Sequence, residues 1–270
     1  MTWSDLPAGL PANLAVSAGV VALLLVVTFT ASVLRDRHDT LDVAWGLGFA
    51  LVAGTTFVLS DGEGATATRL LVTALTVVWG VRLAVHIALR GRGEPEDHRY
   101  AEMRSRAKGN PHLHVLVRAY LAQGVVMWVV SLPVQVAQHG PPAHPGLIAA
   151  GIALWAVGVL FEAVGDGQLR RFRADPANRG RVLDRGLWRY TRHPNYFGDA
   201  CVWWGLFLLA CSSWYGVAAV VSPVAMTFLL AKGTGKPMLE AHLRGRRPGY
   251  ADYVERTSGF LPLPPRRGTP

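Results

Sequence analysis

Residues 13–37 read NLAVSAGVVALLLVVTFTASVLRDR, an uncharged run from Asn13 to Leu34 that ends abruptly on Arg35 and Arg37. A helix crosses the hydrocarbon of a bilayer with about 20 mostly apolar residues, so this run has the length of a membrane span. The pattern recurs at approximately 41–60, 69–90, 114–137, 146–166, 196–213 and 215–232. Together these make seven spans and predict an all-α, polytopic integral membrane protein. The last two are short and separated only by Ser213 and Trp214, which implies a tight helical hairpin. Taken as one re-entrant pair, they would leave six crossings.

Lysine and arginine supply an independent reading of topology. Arg35 and Arg37 follow span 1, and six basic residues from Arg90 to Lys108 follow span 3. Eight arginines from Arg170 to Arg192 follow span 5, and eight basic residues from Lys232 to Arg267 follow span 7. The loops after spans 2, 4 and 6 hold only Arg69. Basic residues accumulate in cytoplasmic loops, so the alternation predicts an N-terminus outside and a C-terminus in the cytoplasm.

Composition agrees. Of 270 residues, 51% are hydrophobic and 17% charged, against about 25% charged in an ordinary soluble domain. The net charge of +9 is therefore read as membrane topology and contact with membrane lipids, not as nucleic-acid binding. Cys201 and Cys211 lie inside an apolar stretch and offer neither a disulfide framework nor metal spacing. The first twelve residues carry no Lys or Arg, so a signal peptide is not expected. No internal repeat or linker divides the chain, which reads as a single membrane domain with cytoplasmic loops 91–113 and 167–195 and a tail from 233. Within that tail, residues 236–258 read as a short amphipathic helix, a Pro-Gly turn and a second helical stretch. No G-x-G-x-x-G follows a strand, Gly233-Thr-Gly-Lys236 lacks the spacing of a phosphate loop, and no H-x-x-H or H-E-x-x-H points to a catalytic metal.

Ionisable groups inside membrane helices cost about 2.5–3.5 kcal/mol at the centre on insertion scales, which makes each a functional candidate. Asp42 opens span 2, although it also fits a helix cap beside Thr40. Arg82 and His86 stand one turn apart late in span 3. Glu162, Asp166, Arg170 and Arg173 recur at steps of four, four and three, which on a helix makes one stripe. Carboxylates followed by arginines suit a ligand with hydroxyls or amines at one end and phosphates at the other, because guanidinium binds phosphate bidentately. The same stripe also fits a salt-bridged helix end. The densest segment is Gly186 to Asp199, GLWRYTRHPNYFGD, where Pro194 suits a first helical turn and Asn195 and Asp199 share a face.

The run RYTRHPNYFGD, preceded by GLW, resembles the C-terminal signature of the steroid 5-alpha-reductase-like superfamily, nearest its bacterial branch. The resemblance extends to Asp42-Val-Ala-Trp-Gly46, to Trp79-Gly-Val-Arg82, to Phe161-Glu-Ala through Arg173-Ala-Asp-Pro176, and to the tail RRPGYADYVERTSGFLP. Sterol C14 reductases and trans-enoyl-CoA reductases carry similar segments, and isoprenylcysteine and phospholipid methyltransferases share a related arrangement. The resemblance implies an NADPH-dependent reductase of an activated C=C bond in a lipid or steroid-like substrate, placed in a bacterial inner membrane and open to the cytoplasm. It implies nucleotide contacts at Asp166, Arg173, Arg181 and Asn195, with Arg82, His193, Tyr196 and Asp199 in the same machinery. Glu162 stands where the family has Asn near the adenine, and Arg170 extends the stripe.

The steroid enzymes hold their ketone with a Gln-Glu pair and a Tyr on helices 2 and 3. That clamp is not reproduced here, which leaves His86 or Asp42 as the candidate proton donor. The alternatives are a methyltransferase using S-adenosylmethionine, whose amino-acid end His193, Asn195 and Glu240 would meet, and a lipid-binding protein without catalysis. Nothing in the sequence indicates the oligomeric state.

Overall fold

The structure, a computed structural model, describes residues 6–233, 235–238, 240 and 248–266. Regular structure among them is helical, with no strand and one isolated backbone bridge between Thr191 and Ser258. In chain order the helices are α1 (Leu10–Arg35), α2 (Thr40–Leu59), α3 (Thr66–Arg90), α4 (His98–Ser105), α5 (Pro111–Val115), α6 (Leu121–Val130) and α7 (Leu132–Ala137). They continue as α8 (Pro145–Ala174), α9 (Pro194–Ala210), α10 (Trp214–Ala218), α11 (Val221–Ala231) and α12 (Tyr250–Arg256).

Among the described residues six helical stretches are long and apolar enough to cross a membrane: α1, α2, α3, Pro111–Ala137, α8 and Trp214–Met238. The protein is thus an integral membrane protein of polytopic type. Helix α9, read from sequence as the sixth of seven spans, has 17 residues and stands just below that length. Its break from the next helix falls at Cys211–Ser213, where the Ser213 hydroxyl accepts the Gly216 N–H at 3.1 Å and starts α10. The fourth stretch is not a uniform α-helix. Asn110 caps its start by accepting from the His112 and Leu113 amides, and a π-helical turn occupies Leu116–Tyr120. A fresh start follows at Ser131, with Pro133 in the first turn, where proline is tolerated. Helix α8 runs eight residues past the expected end of its span, so Asp166, Arg170 and Arg173 do lie on a helix.

The described chain forms two compact units, residues 1–145 with 209–222 and residues 146–208 with 223–270. In the first, Phe49 and Trp79 bring their rings to 5.6 Å in a core with Val52, Met127, Val130 and Val134. Helices α2 and α3 meet at Gly46 and Gly80, where a Cβ on Gly80 would lie 2.5 Å from the Gly46 carbonyl oxygen. Leu23 and Val26 of α1 and Val78 and Val85 of α3 remain exposed. Apolar residues on the outside as well as the inside are what a bilayer requires.

One end of this unit is closed by satisfied polar groups. His139 is held by Glu63 at its Nδ1 and accepts from Asn13 at its Nε2, each at 2.6 Å. Beside it the Gln135 amide links Ser17 and Ser131. In low dielectric such groups must find partners, and Ser17 of α1 meets Gln135 of α7 in this way.

In the second unit, α8 and α9 run antiparallel along a seam of small residues. Gly151, Gly158 and Gly165 of α8 face Gly205, Gly198 and Pro194 of α9. A Cβ on Gly158 or on Gly198 would come within 2.5 Å of the other's carbonyl oxygen. Membrane helices lack a hydrophobic drive to associate and rely on such close backbone approach.

Candidate functional site

The seam fixes where the polar residues at the end of α8 and the start of α9 go. Gly165 packs against Pro194, and Glu162 lies against Gly198. Glu162 and Asp166 are both buried. The two segments singled out from sequence, the α8 stripe and the H-P-N-Y turn, therefore adjoin. Trp188 reinforces the junction by donating its indole N–H to the Gly165 carbonyl at 3.1 Å.

The turn itself is anchored by the C-terminal tail. Arg192 donates its Nε to Glu240 at 2.8 Å and its Nη1 to the Val254 and Thr257 carbonyls, each at 2.7 Å. His193 Nε2 lies 3.0 Å from the same Glu240 oxygen, and its ring stacks on Tyr196 at 5.0 Å. Thr191 donates to the Phe260 carbonyl, and Tyr253 donates to that of Trp188 at 2.6 Å. Burial alone would raise the Glu240 carboxyl, but hydrogen bonds from His193 and Arg192, with the charge of Arg192, pull it down to about 2. Burial lowers His193, aided by the charges of Arg192 and Lys236 and opposed by Glu240. Near neutral pH, Glu240 is ionised and His193 neutral. The shared proton sits on Nε2 and donates to the carboxylate.

Around this anchor lie the other expected residues. Asn195, Tyr196 and Asp199 occupy the first turns of α9 and are half-buried. The Asn195 amide has no side-chain hydrogen bond among the described residues, so it remains available. Arg170, Arg173 and Arg181 are exposed beyond the apolar part of α8. Arg170 and Arg173 lie on α8 and Arg181 in the loop that follows it.

In the first unit, Asp42 is not a lone carboxylate. Its Oδ2 accepts from Arg99 and its Oδ1 from the Tyr100 hydroxyl, both at 2.6 Å. Arg99 also binds Asp97, the residue that caps α4. Burial works against the Arg99 charge, yet Asp42 and Asp97 more than restore it, and its pKa lies above the usual value. Tyr100 is 1% exposed, and burial, with the Asp42 charge, holds its hydroxyl well above the usual range. The proton of the pair therefore resides on Tyr100, whose O–H donates. Arg82 and His86 are half-buried on α3.

Sequence reasoning did not find Arg99, Tyr100 or the anchoring role of Arg192. It also passed over His38, whose ring bridges His112 at 3.0 Å and Tyr120 at 3.1 Å. Burial, then the charges of His112 and Arg104, lower His38 to about 4. Residues 241–247 of the expected amphipathic tail lie outside the described residues, as does Thr234 of the rejected phosphate-loop segment.

The fold is that of a helical membrane protein. The chain belongs to the DUF1295 family, described as a protein of unknown function, which is the steroid 5-alpha-reductase-like family; residues 28–257 match. It is 36% identical over 90 residues to 3-oxo-5-alpha-steroid 4-dehydrogenase 1 of Mus musculus, covering 33% of this chain and 34% of that protein. The Rattus norvegicus protein of the same name is 28% identical over 121 residues, 44% of this chain and 42% of the relative. "Probable O-methyltransferase ustE" of Ustilaginoidea virens is 33% identical over 87 residues, 32% of this chain and 28% of that protein. The matches thus span less than half the length of each of these relatives. No solved structure matches the chain.

Proposed function

We propose that this protein is an NADPH-dependent reductase of an activated C=C bond, an enone or enoyl group, in a lipid or steroid-like substrate within the membrane. The observation that carries the reading is the junction of the α8 stripe with the H-P-N-Y turn. It gathers Glu162, Asp166 and Asn195 in one unit, with Arg170 and Arg173 on the same helix. The similarity to two 3-oxo-5-alpha-steroid 4-dehydrogenases supports it.

NADPH, when bound, supplies a hydride for the beta carbon. The protein's own part is to hold phosphates with Arg170, Arg173 and Arg181 and to orient the nucleotide through Asp166, Asn195, Tyr196 and Asp199. Arg82 is assigned to the same binding set, and His193 to positioning Tyr196 and the tail. For the proton that completes the reduction, His86 and Asp42 are the candidates. Asp42 would act through Tyr100, whose O–H it holds at 2.6 Å. In this reading α9 is a seventh crossing, the N-terminus lies outside, and the site opens to the cytoplasm of a bacterial inner membrane.

The test is thermal stability of the detergent-purified protein with NADPH, NADH or S-adenosylmethionine. A native-state ligand at a hundredfold excess over Kd stabilises by about 2.7 kcal/mol. A shift with NADPH, lost in Asn195→Ala, is the expected result. An Asn195→Ala protein that binds NADPH like the parent would sink the pocket assignment.

A second reading, transfer of a methyl group from S-adenosylmethionine, is favoured by the match to the O-methyltransferase. Glu240 and His193, two of the residues that would meet that cofactor's amino-acid end, already bind each other, and Arg192 holds Glu240 as well. A stability shift with S-adenosylmethionine alone would decide for it.

A further inference from the structure

A cleft of about 320 Å³ lies in the second unit, on residues the reading above does not use. Its walls include Gln168, Arg171, Phe172 and Asp175 of α8 and its C-terminal extension, then Leu183 and Arg185 from the following loop. The spacing places it. Gln168, Arg171, Phe172 and Asp175 follow steps of three, one and three, one stripe of a helix. Asp166, Arg170 and Arg173 form another stripe, roughly on the opposite side at about 100° per residue.

The cleft is built for an anion. Phe172 and Leu183 are buried and form an apolar floor. The Arg185 guanidinium stands 5.8 Å above the Phe172 ring. Neither Arg171 nor Arg185 has a carboxylate partner among the described residues. The one carboxylate present, Asp175, is turned to local donors, the Ala177 N–H at 2.9 Å and the Asn178 amide at 3.3 Å. The loop is held closed over the helix by the Leu187 N–H donating to Gln168 at 3.0 Å. Gly186 permits this with a φ of 63°, beside Gln168, where a side chain would be strained and would clash.

Depth selects the ligand. Helix α8 has 30 residues, about 45 Å at 1.5 Å each, against a hydrocarbon core of about 30 Å. Its uncharged sequence ends at Phe161, and Gln168 follows about two turns later, within the headgroup layer. Paired guanidiniums with an apolar floor at that depth match a phosphodiester attached to a glycerol backbone.

We propose that this cleft is a phosphate site separate from the nucleotide stripe, and that it takes the headgroup phosphate of an anionic phospholipid. The proposal does not rest on the reductase reading.

The test uses the full chain in detergent, with native mass spectrometry after adding equal amounts of phosphatidylglycerol and phosphatidylcholine. The parent should retain phosphatidylglycerol in preference. Arg171→Gln/Arg185→Gln should weaken that retention by about tenfold or more, the scale of losing charged hydrogen bonds. Arg170→Gln/Arg173→Gln should keep it. Both cleft arginines are exposed, so that variant should fold, which its unliganded melting temperature checks. Equal retention by parent and cleft variant would overturn the proposal. So would loss of the NADPH-induced stability shift in the cleft variant, which would assign the cleft to the nucleotide. Glycerol 3-phosphate displacing the lipid at comparable concentration would keep the phosphate chemistry and overturn the lipid as its source.

Discussion

Asp42 and Glu240 are both carboxylates held by an arginine recruited from elsewhere in the chain, yet the two clusters differ in depth and in where the proton sits. The Asp42 and Arg99 side chains remain 16% and 36% exposed, whereas those of Glu240 and Arg192 remain 7% and 8% exposed. Every donor nitrogen of Arg192 is matched to a carboxylate or a carbonyl. Around Asp42 the second partner is a tyrosine hydroxyl that carries its own proton. A buried, saturated pair acts as a staple for the tail. A half-open pair with a proton-bearing neighbour is a place where chemistry has room. The difference is one of solvent access, not of residue type.

The contrast is broken or sharpened by substitution. The largest expected effect is kinetic. Tyr100→Phe should lower turnover by about 10²–10⁴-fold, the range for a lost general acid, with NADPH affinity unchanged. Full turnover in that variant, and in His86→Ala, would remove both proposed proton routes. Next comes Glu240→Ala, which strands the Arg192 charge in a buried setting and should cost about 3–5 kcal/mol. Asp42→Ala, at a more exposed pair, should cost less, about 1–3 kcal/mol, chiefly for the buried Tyr100 hydroxyl left without its acceptor. Thermal unfolding in detergent measures both, and equal losses would erase the distinction between the clusters. Gly158→Val should follow at about 1–3 kcal/mol, because its side chain meets the Gly198 carbonyl in the α8–α9 seam.

The smallest effect is on pH dependence. Glu240 is lowered from 4.5 to about 2. Its contribution is present above the unfolded value and fades as pH falls toward the folded one. His193 is lowered from 6.5, so its contribution too is whole above 6.5 and lost on acidification. Protease sensitivity of residues 248–266 should be flat above pH 6.5 and rise below it, most steeply below about 4.5. A tail that loosens toward alkaline pH would contradict the assigned proton on His193.

Two motifs that carry the family resemblance prove to be packing motifs. Gly46 and Gly80, inside D-V-A-W-G and W-G-V-R, form the α2–α3 contact, and Trp79 is fully buried against Phe49. Gly151, Gly158 and Gly165 recur every seven residues, and the structure shows them to be one helix seam. Arg99 and Tyr100 bore no comparable sign. They sit in a polar loop among other charges, and they meet Asp42 across 57 and 58 residues.

By itself the sequence determined the apolar helices, the stripe of carboxylates and arginines on α8, and the proline-led start of α9. Each of these depends on hydropathy or on spacing within a few turns, which is local physics. Only the tertiary structure decided which arginine answers which carboxylate. Arg192 takes Glu240 across 48 residues, and Arg171 and Arg185 are left facing a cleft. Such pairings are set by which helix faces the glycine seams bring together, and a count of charges along the chain carries no record of that.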